Sequence, residues 1–211
     1  MRSKLNLFVL LVLASLLCMT VTSPVLAQKI APSGPTVDPP SLCDAISSNL
    51  VQNCGFETGD FTDWHVTNAA SGSLIFVSGG AYSGNNAAWF GAVTYPYEDS
   101  ISQILTDNVG ATYTLSFFLS NDYSAPGQAI FSAYWDGTDL FDASANAFPY
   151  TQYTFTVTGT GSDTLQFSGV QVPAYYILDD VSVVATPEPG TLGLLGTGML
   201  CGLALLAFRR L

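Results

Sequence analysis

The chain predicts an all-β domain, a two-sheet antiparallel sandwich, set between two apolar terminal segments. Three observations carry this expectation. Apolar and polar residues alternate with a period of two over several runs, glycine-rich turns punctuate those runs, and no helical periodicity stands outside the terminal segments. Many short strands at regular intervals in one domain bury their apolar faces as two packed sheets.

At the N-terminus, Arg2 and Lys4 precede the apolar run Leu5 to Met19, and Val25-Leu26-Ala27 before Gln28 forms a cleavage site. This is the pattern of a secretory signal peptide over residues 1–27. Cys18 lies in the discarded run; Leu17 stands where a lipidation site wants a small residue. Residues 28–50 read as a linker, because Pro32, Gly34, Pro35, Pro39 and Pro40 keep Gln28 to Ser41 irregular. Cys43 and Cys54 are the cysteines outside the terminal segments. In an oxidising compartment so close a pair forms a disulfide. The alternatives are two free buried thiols, or a two-ligand metal site lacking the partners zinc needs.

The sandwich is expected over residues 51–185. Tyr113, Leu115, Phe117 and Leu119 alternate with Thr112, Thr114, Ser116 and Ser120, and Tyr153, Phe155 and Val157 alternate with Thr154, Thr156 and Thr158. Such runs, rich in β-branched and aromatic residues, suit half-buried strands. Gly79-Gly80, Ser83-Gly84-Asn85-Asn86, Ala125-Pro126-Gly127, Asp136-Gly137 and Gly159-Thr160-Gly161 supply the turns.

Charge excludes several function classes. The formal net charge is −11, from sixteen acids against five basic residues, and none of the basic residues lies between Ile30 and Phe208. Without residues 1–27 and the apolar run from Leu192 onward, the exported domain sets sixteen acids, Glu188 included, against Lys29 alone, a formal charge near −15. Nucleic acid is excluded as a partner, since binding it needs cations that neutralise phosphates, and anionic substrates are disfavoured. A buried carboxylate here must be hydrogen-bonded, protonated or metal-bound, because no Lys or Arg is at hand.

Catalysis finds little support. His65 is the sole histidine, and no G-x-S-x-G motif accompanies it. Paired carboxylates of a glycosidase could be drawn from Glu98, Asp99, Asp136, Asp139 and Asp142, but these sit beside glycines and serve turns and solubility equally well. Ligand binding is better provided for. Trp89, Tyr95, Tyr97, Tyr134, Trp135, Tyr175 and Tyr176 offer flat apolar faces with polar edges, which suit stacking on sugar rings. Tyr95 and Tyr97, in a proline-interrupted pair followed by Glu98 and Asp99, read as an exposed loop and are the preferred ligand-binding residues, with Trp135.

The C-terminal stretch, residues 186–211, has three parts in order: Pro187-Glu188-Pro189, an uncharged apolar run from Leu192 to Phe208, and the dibasic Arg209-Arg210. The run is near the shortest that spans a hydrocarbon core of about 30 Å at about 1.5 Å per residue, and the arginines belong on the cytoplasmic side. These residues resemble the PEP-CTERM sorting signal of Gram-negative envelope proteins. The resemblance implies an inner-membrane intermediate and recognition by an exosortase, which would remove the helix near Pro187-Glu188-Pro189. A permanent single-pass anchor is the other reading. The prolines favour processing, because they hold the backbone extended, as proteases bind it.

Asn53-Cys54-Gly55-Phe56-Glu57-Thr58-Gly59-Asp60-Phe61-Thr62-Asp63-Trp64, with Ile177-Leu178-Asp179-Asp180-Val181-Ser182-Val183 closing the domain, resembles the galactose-binding-like jelly rolls, which include many carbohydrate-binding modules. Cys54 departs from the small residue more usual there. The resemblance implies a jelly-roll sandwich and a structural calcium ion, with Glu57 and Asp179 as side-chain ligands and carbonyls of the Ser83-Gly84-Asn85 turn, Gly84 at its centre, completing the shell. The residues point the same way: Asp179 alternates with Ile177 and Val181, so it is expected to face the core, where a hard cation would satisfy it.

The expectation is thus an exported, exosortase-sorted cell-surface or matrix protein with a non-enzymatic jelly roll that binds carbohydrate or mediates adhesion in exopolysaccharide or biofilm. A purely structural envelope protein is the chief alternative, and a polysaccharide-degrading glycosidase or lyase the third.

Overall fold

The computed structural model describes residues 40–68, 72–92 and 94–186. The expected signal peptide and the sorting signal with Pro187, Glu188, Pro189, Arg209 and Arg210 lie outside them. Among the described residues no helix is long and apolar enough to cross a membrane.

Among the described residues ten strands follow a single turn of 3-10 helix at Cys43–Ala45. They are β1 (His65–Thr67), β2 (Ser73–Ser78), β3 (Ala87–Ala92), β4 (Asp99–Thr106), β5 (Thr112–Asn121), β6 (Ala129–Trp135), β7 (Thr138–Asp142), β8 (Phe148–Thr158), β9 (Ser162–Gln171) and β10 (Tyr176–Ala185). Two five-stranded antiparallel sheets result, ordered β1-β4-β9-β6-β7 and β2-β3-β10-β5-β8. We call them sheet A and sheet B.

The period of two decides which side chains fill the space between the sheets. Tyr113, Leu115, Phe117 and Leu119 of β5 are buried, as the alternation predicts, and Ile101, Leu105, Phe131, Leu165 and Phe167 face them from sheet A. Rings interlock across the gap edge to face: Phe90 meets Phe131 at 5.2 Å and Phe117 meets Phe167 at 5.0 Å. Offset and T-shaped pairs of this kind are favoured by the ring quadrupoles and add to the burial of apolar area.

Two expectations need correcting. The stretch read as linker to residue 50 is part of the domain from Ser41 onward: Ser41 and Cys43 are buried, and Leu50 N–H donates to Val183 C=O at 3.0 Å. Composition reports the prolines before residue 41 but not the docking after it. Cys43 and Cys54 are joined by a disulfide that ties this segment to the loop before β1.

The second correction concerns Asp179. Ile177 and Asp179 lie on the outer face of sheet B, opposite Trp89 and Phe118 respectively, while Leu178 between them is buried in the core. A bulge between Asp179 and Ser182, with Asp180 at φ +49, inserts an extra residue and returns Val181 and Val183 to the core side. Plain alternation through 177, 179 and 181 therefore misplaces Asp179.

Candidate functional site

Although it points away from the core, Asp179 is fully buried. The loop between β2 and β3 folds over the outer face of sheet B and covers it. Asp179 Oδ2 accepts the N–H groups of Tyr82 at 2.7 Å and Ser83 at 3.1 Å, and Oδ1 accepts the N–H of Asp180 at 2.7 Å. Burial, then the neighbouring Asp180 charge, push its carboxyl up to about 7 against the pull of those amides. Asp180, also buried, accepts from Cys43 N–H at 3.1 Å and from the Ser83 hydroxyl at 2.5 Å. Adjacent acids thus pin two segments, the covering loop and the disulfide-bearing N-terminal turn.

Glu57 does similar work at the far end of the same loop. Its Oε1 accepts from the N–H groups of Asn85 and Asn86, each at 2.9 Å, and Oε2 lies 3.1 Å from Asn85 N and 3.4 Å from its side-chain amide. Gly84 sits between at φ +70, and a Cβ there would come within 2.5 Å of Glu57 Oε1. Glycine is thus required by both backbone angle and space.

Glu57, Gly84 and Asp179 are therefore drawn to one loop, but the donor set in this arrangement does not fit calcium. The turn presents N–H groups to both carboxylates where a calcium site presents carbonyl oxygens, and a cation needs six to eight oxygen ligands at short range. The remainder of the motif builds the loop itself. Asn53, at φ +46, donates through its side chain to Asp60 C=O at 3.1 Å and Thr62 C=O at 2.9 Å. Phe56 is buried and stacks on Trp64 at 5.7 Å, and Trp64 Nε1–H donates to Asn53 C=O at 3.2 Å.

The aromatic candidates divide. Tyr95 and Tyr97 are exposed, 38% and 54%, on either side of Pro96 in the loop from β3 to β4. Trp135 is not part of that surface: its ring is buried at the end of β6, and Nε1–H donates to Thr158 C=O at 3.3 Å. As a ligand-binding residue it is corrected, because a stacking face must be open to solvent. Tyr176 is likewise buried. A group that sequence reasoning did not assemble lies on the outer face of sheet B, where Phe76, Trp89 and Tyr175 form a cluster with centroids 5.4 to 5.9 Å apart.

Of the acids that invited a glycosidase reading, Asp99 accepts from the Ser73 hydroxyl at 2.8 Å, Asp142 from the Ser132 hydroxyl at 2.7 Å, and Asp136 sits in a turn beside two further acids, Asp107 and Asp163. Asp163 is buried and accepts from Thr160 N–H at 2.7 Å and its hydroxyl at 2.6 Å. Asp107 accepts from Gly161 N–H and Asp136 from Thr164 N–H, each at 2.7 Å. Burial works against ionisation of Asp163, but hydrogen bonds from Asp107, Asp136 and Thr160 outweigh it and hold the carboxyl below the usual range. Asp107 is pushed up by burial and then by Asp163, and Asp136 chiefly by its hydrogen bond to Asp163. His65 lies elsewhere, in a shallow depression of about 380 Å³ on sheet A with Asp63, Ser102, Ile104 and Thr164.

Two five-stranded sheets with this pairing define the class: an antiparallel jelly-roll β-sandwich. TmCBM61, solved in complex with β-1,4-galactotriose, is similar in fold at a TM-score of 0.52 and 17% identity, over 66% of this chain and 100% of that one. The enzymatically active domain of bacteriophage CBA120 tailspike protein 4 is similar at a TM-score of 0.51 and 12% identity, over 66% of this chain but 22% of that one. At such identities the likeness is one of fold. The C-terminal stretch is more particular: residues 185–210 match the PEP-CTERM protein-sorting motif, which marks an exported, envelope-directed protein. No curated protein matches the chain.

Proposed function

We propose that this chain is an exported cell-surface or matrix protein of a Gram-negative bacterium, sorted by an exosortase through residues 185–210, whose non-catalytic jelly roll binds carbohydrate and so mediates adhesion within exopolysaccharide or biofilm. The observation that carries the binding reading is the exposed pair Tyr95 and Tyr97, held on a loop beside the uncharged end of β3. Exposed tyrosines on a rigid sandwich offer apolar faces to sugar C–H groups and hydroxyls to their rims. The charge of −11 supports a neutral or cationic ligand and speaks against nucleic acid.

The test is retention in affinity electrophoresis through gels containing neutral polysaccharides. The chain is expected to be retarded, and the Tyr95→Ala/Tyr97→Ala double variant to run freely with its melting temperature unchanged. Equal mobility of both in every gel favours the purely structural envelope role.

A further inference from the structure

Sheet B carries a second surface that no motif announces. Phe76 and Trp89 are cross-strand partners on β2 and β3, with ring centroids 5.9 Å apart and planes 13° from parallel. Tyr175, just before β10, closes the group edge-on, 5.4 Å from each. The cluster is fixed in place. Trp89 Nε1–H donates to Gly79 C=O at 2.9 Å, a Cβ on Gly80 would come within 2.8 Å of the indole, and a Cβ on Gly91 would come within 2.5 Å of the Tyr175 ring. Two glycines therefore make room for the rings. Phe76 remains 37% exposed at the outer edge.

The surroundings of the cluster are as informative as the rings. The charged side chains in the strands of this sheet are Asp179 and Asp180, and both are buried beneath the covering loop and the N-terminal turn. On the far side of the covering loop the face shows hydroxyls, among them Thr114, Ser116 and Thr154. A protein with sixteen acids thus keeps one whole sheet face free of exposed charge.

We infer that the Phe76, Trp89 and Tyr175 cluster is a binding platform for an uncharged glycan chain, made of other residues than the Tyr95 and Tyr97 loop. This rests on the carbohydrate reading above and adds a place and a charge class to it. A sugar ring has one apolar C–H face to lay on the rings and hydroxyls that stay hydrated at its rim. An anionic glycan would meet the field of the acidic chain with no cation to receive it. A second copy is disfavoured on the same ground, since two chains of formal charge −11 repel.

Tryptophan fluorescence isolates the platform. Trp64 and Trp135 are buried at 6% and 7% exposure, so quenching by acrylamide in the full-length chain reports Trp89. Titration with cellohexaose, xylohexaose or β-1,4-galactotriose is expected to lower the quenching constant for at least one of them. Phe76→Ala/Tyr175→Ala is expected to abolish that shielding and weaken binding about tenfold. Phe76→Ser, at a more exposed site, serves if the double variant does not fold. The Tyr95→Ala/Tyr97→Ala variant should retain the shielding. Loss of shielding in the loop variant alone overturns the platform and leaves the loop reading standing, and no shielding by any of the three sugars overturns the platform outright. Shielding that grows with protein concentration without sugar assigns the face to self-association and also overturns it.

Discussion

Asp179 Oδ2 accepts the backbone N–H of Tyr82 at 2.7 Å, across a gap of 97 residues in the chain, and that contact holds the loop that buries the carboxylate. The group is thus enclosed by the element it anchors. With no lysine or arginine in the described domain to neutralise it, Asp179 takes up a proton far more readily folded than unfolded.

Stability should therefore depend on pH with a definite sign. Between the ordinary value of 3.8 and the folded value of about 7, the folded state binds more protons than the unfolded state. Stability contributed by protonated Asp179 is present below that window and is lost as pH rises through it, at about 1.4 kcal/mol per unit of displacement. Urea unfolding of the chain and of Asp179→Asn across this range should show the variant with the shallower fall. Parallel curves would mean that Asp179 titrates normally.

Removing the disulfide should cost stability without changing the fold. Cys43 and Cys54 close a short loop of separation 11, and such closure contributes about 2 to 3 kcal/mol in the chain-entropy account. A Cys43→Ser/Cys54→Ser variant is expected to unfold at lower urea concentration with an unchanged slope. The Cys43 N–H to Asp180 hydrogen bond should keep the N-terminal turn docked, so its amide protection is expected to persist.

Chelation gives a third outcome. The amides that fill Glu57 and Asp179 predict that EDTA leaves the melting temperature where it was, and that added calcium does not raise it. A rise of several degrees on adding calcium would show that the turn exchanges its N–H groups for carbonyls when the ion binds.

Processing at the C-terminus is checked by mass. If an exosortase acts on the motif at residues 185–210, the mature protein should yield no peptide beyond about Gly190. A C-terminal peptide ending at Leu211 would instead identify a retained anchor.

Much of this was legible in one dimension. The strands at Thr112–Asn121 and Phe148–Thr158 follow from side chains that alternate in and out, because each strand needs only its own residues to declare its two faces. The export and sorting features are equally local: a short run with the right order of charges and prolines is the whole signal. The close cysteine pair and the absence of internal cations likewise need no coordinates.

What the tertiary structure decided was everything that depends on a neighbour or on an inserted residue. Alternation cannot say which face is the core once a bulge intervenes: it points Asp179 inward, whereas the shift between Asp179 and Ser182 leaves it on the outer face beneath a loop. Nor can it distinguish a buried indole such as Trp135 from an available one such as Trp89, since both stand in similar strands and differ only in what packs over them. The Phe76, Trp89 and Tyr175 cluster joins one hairpin, β2 and β3, to a residue far along the chain, and the pairing of β10 with β3 brings Tyr175 within ring contact. Local pattern sets the chemistry of each strand; the choice of partner, made by long-range hydrogen bonding, sets which of those chemistries meet.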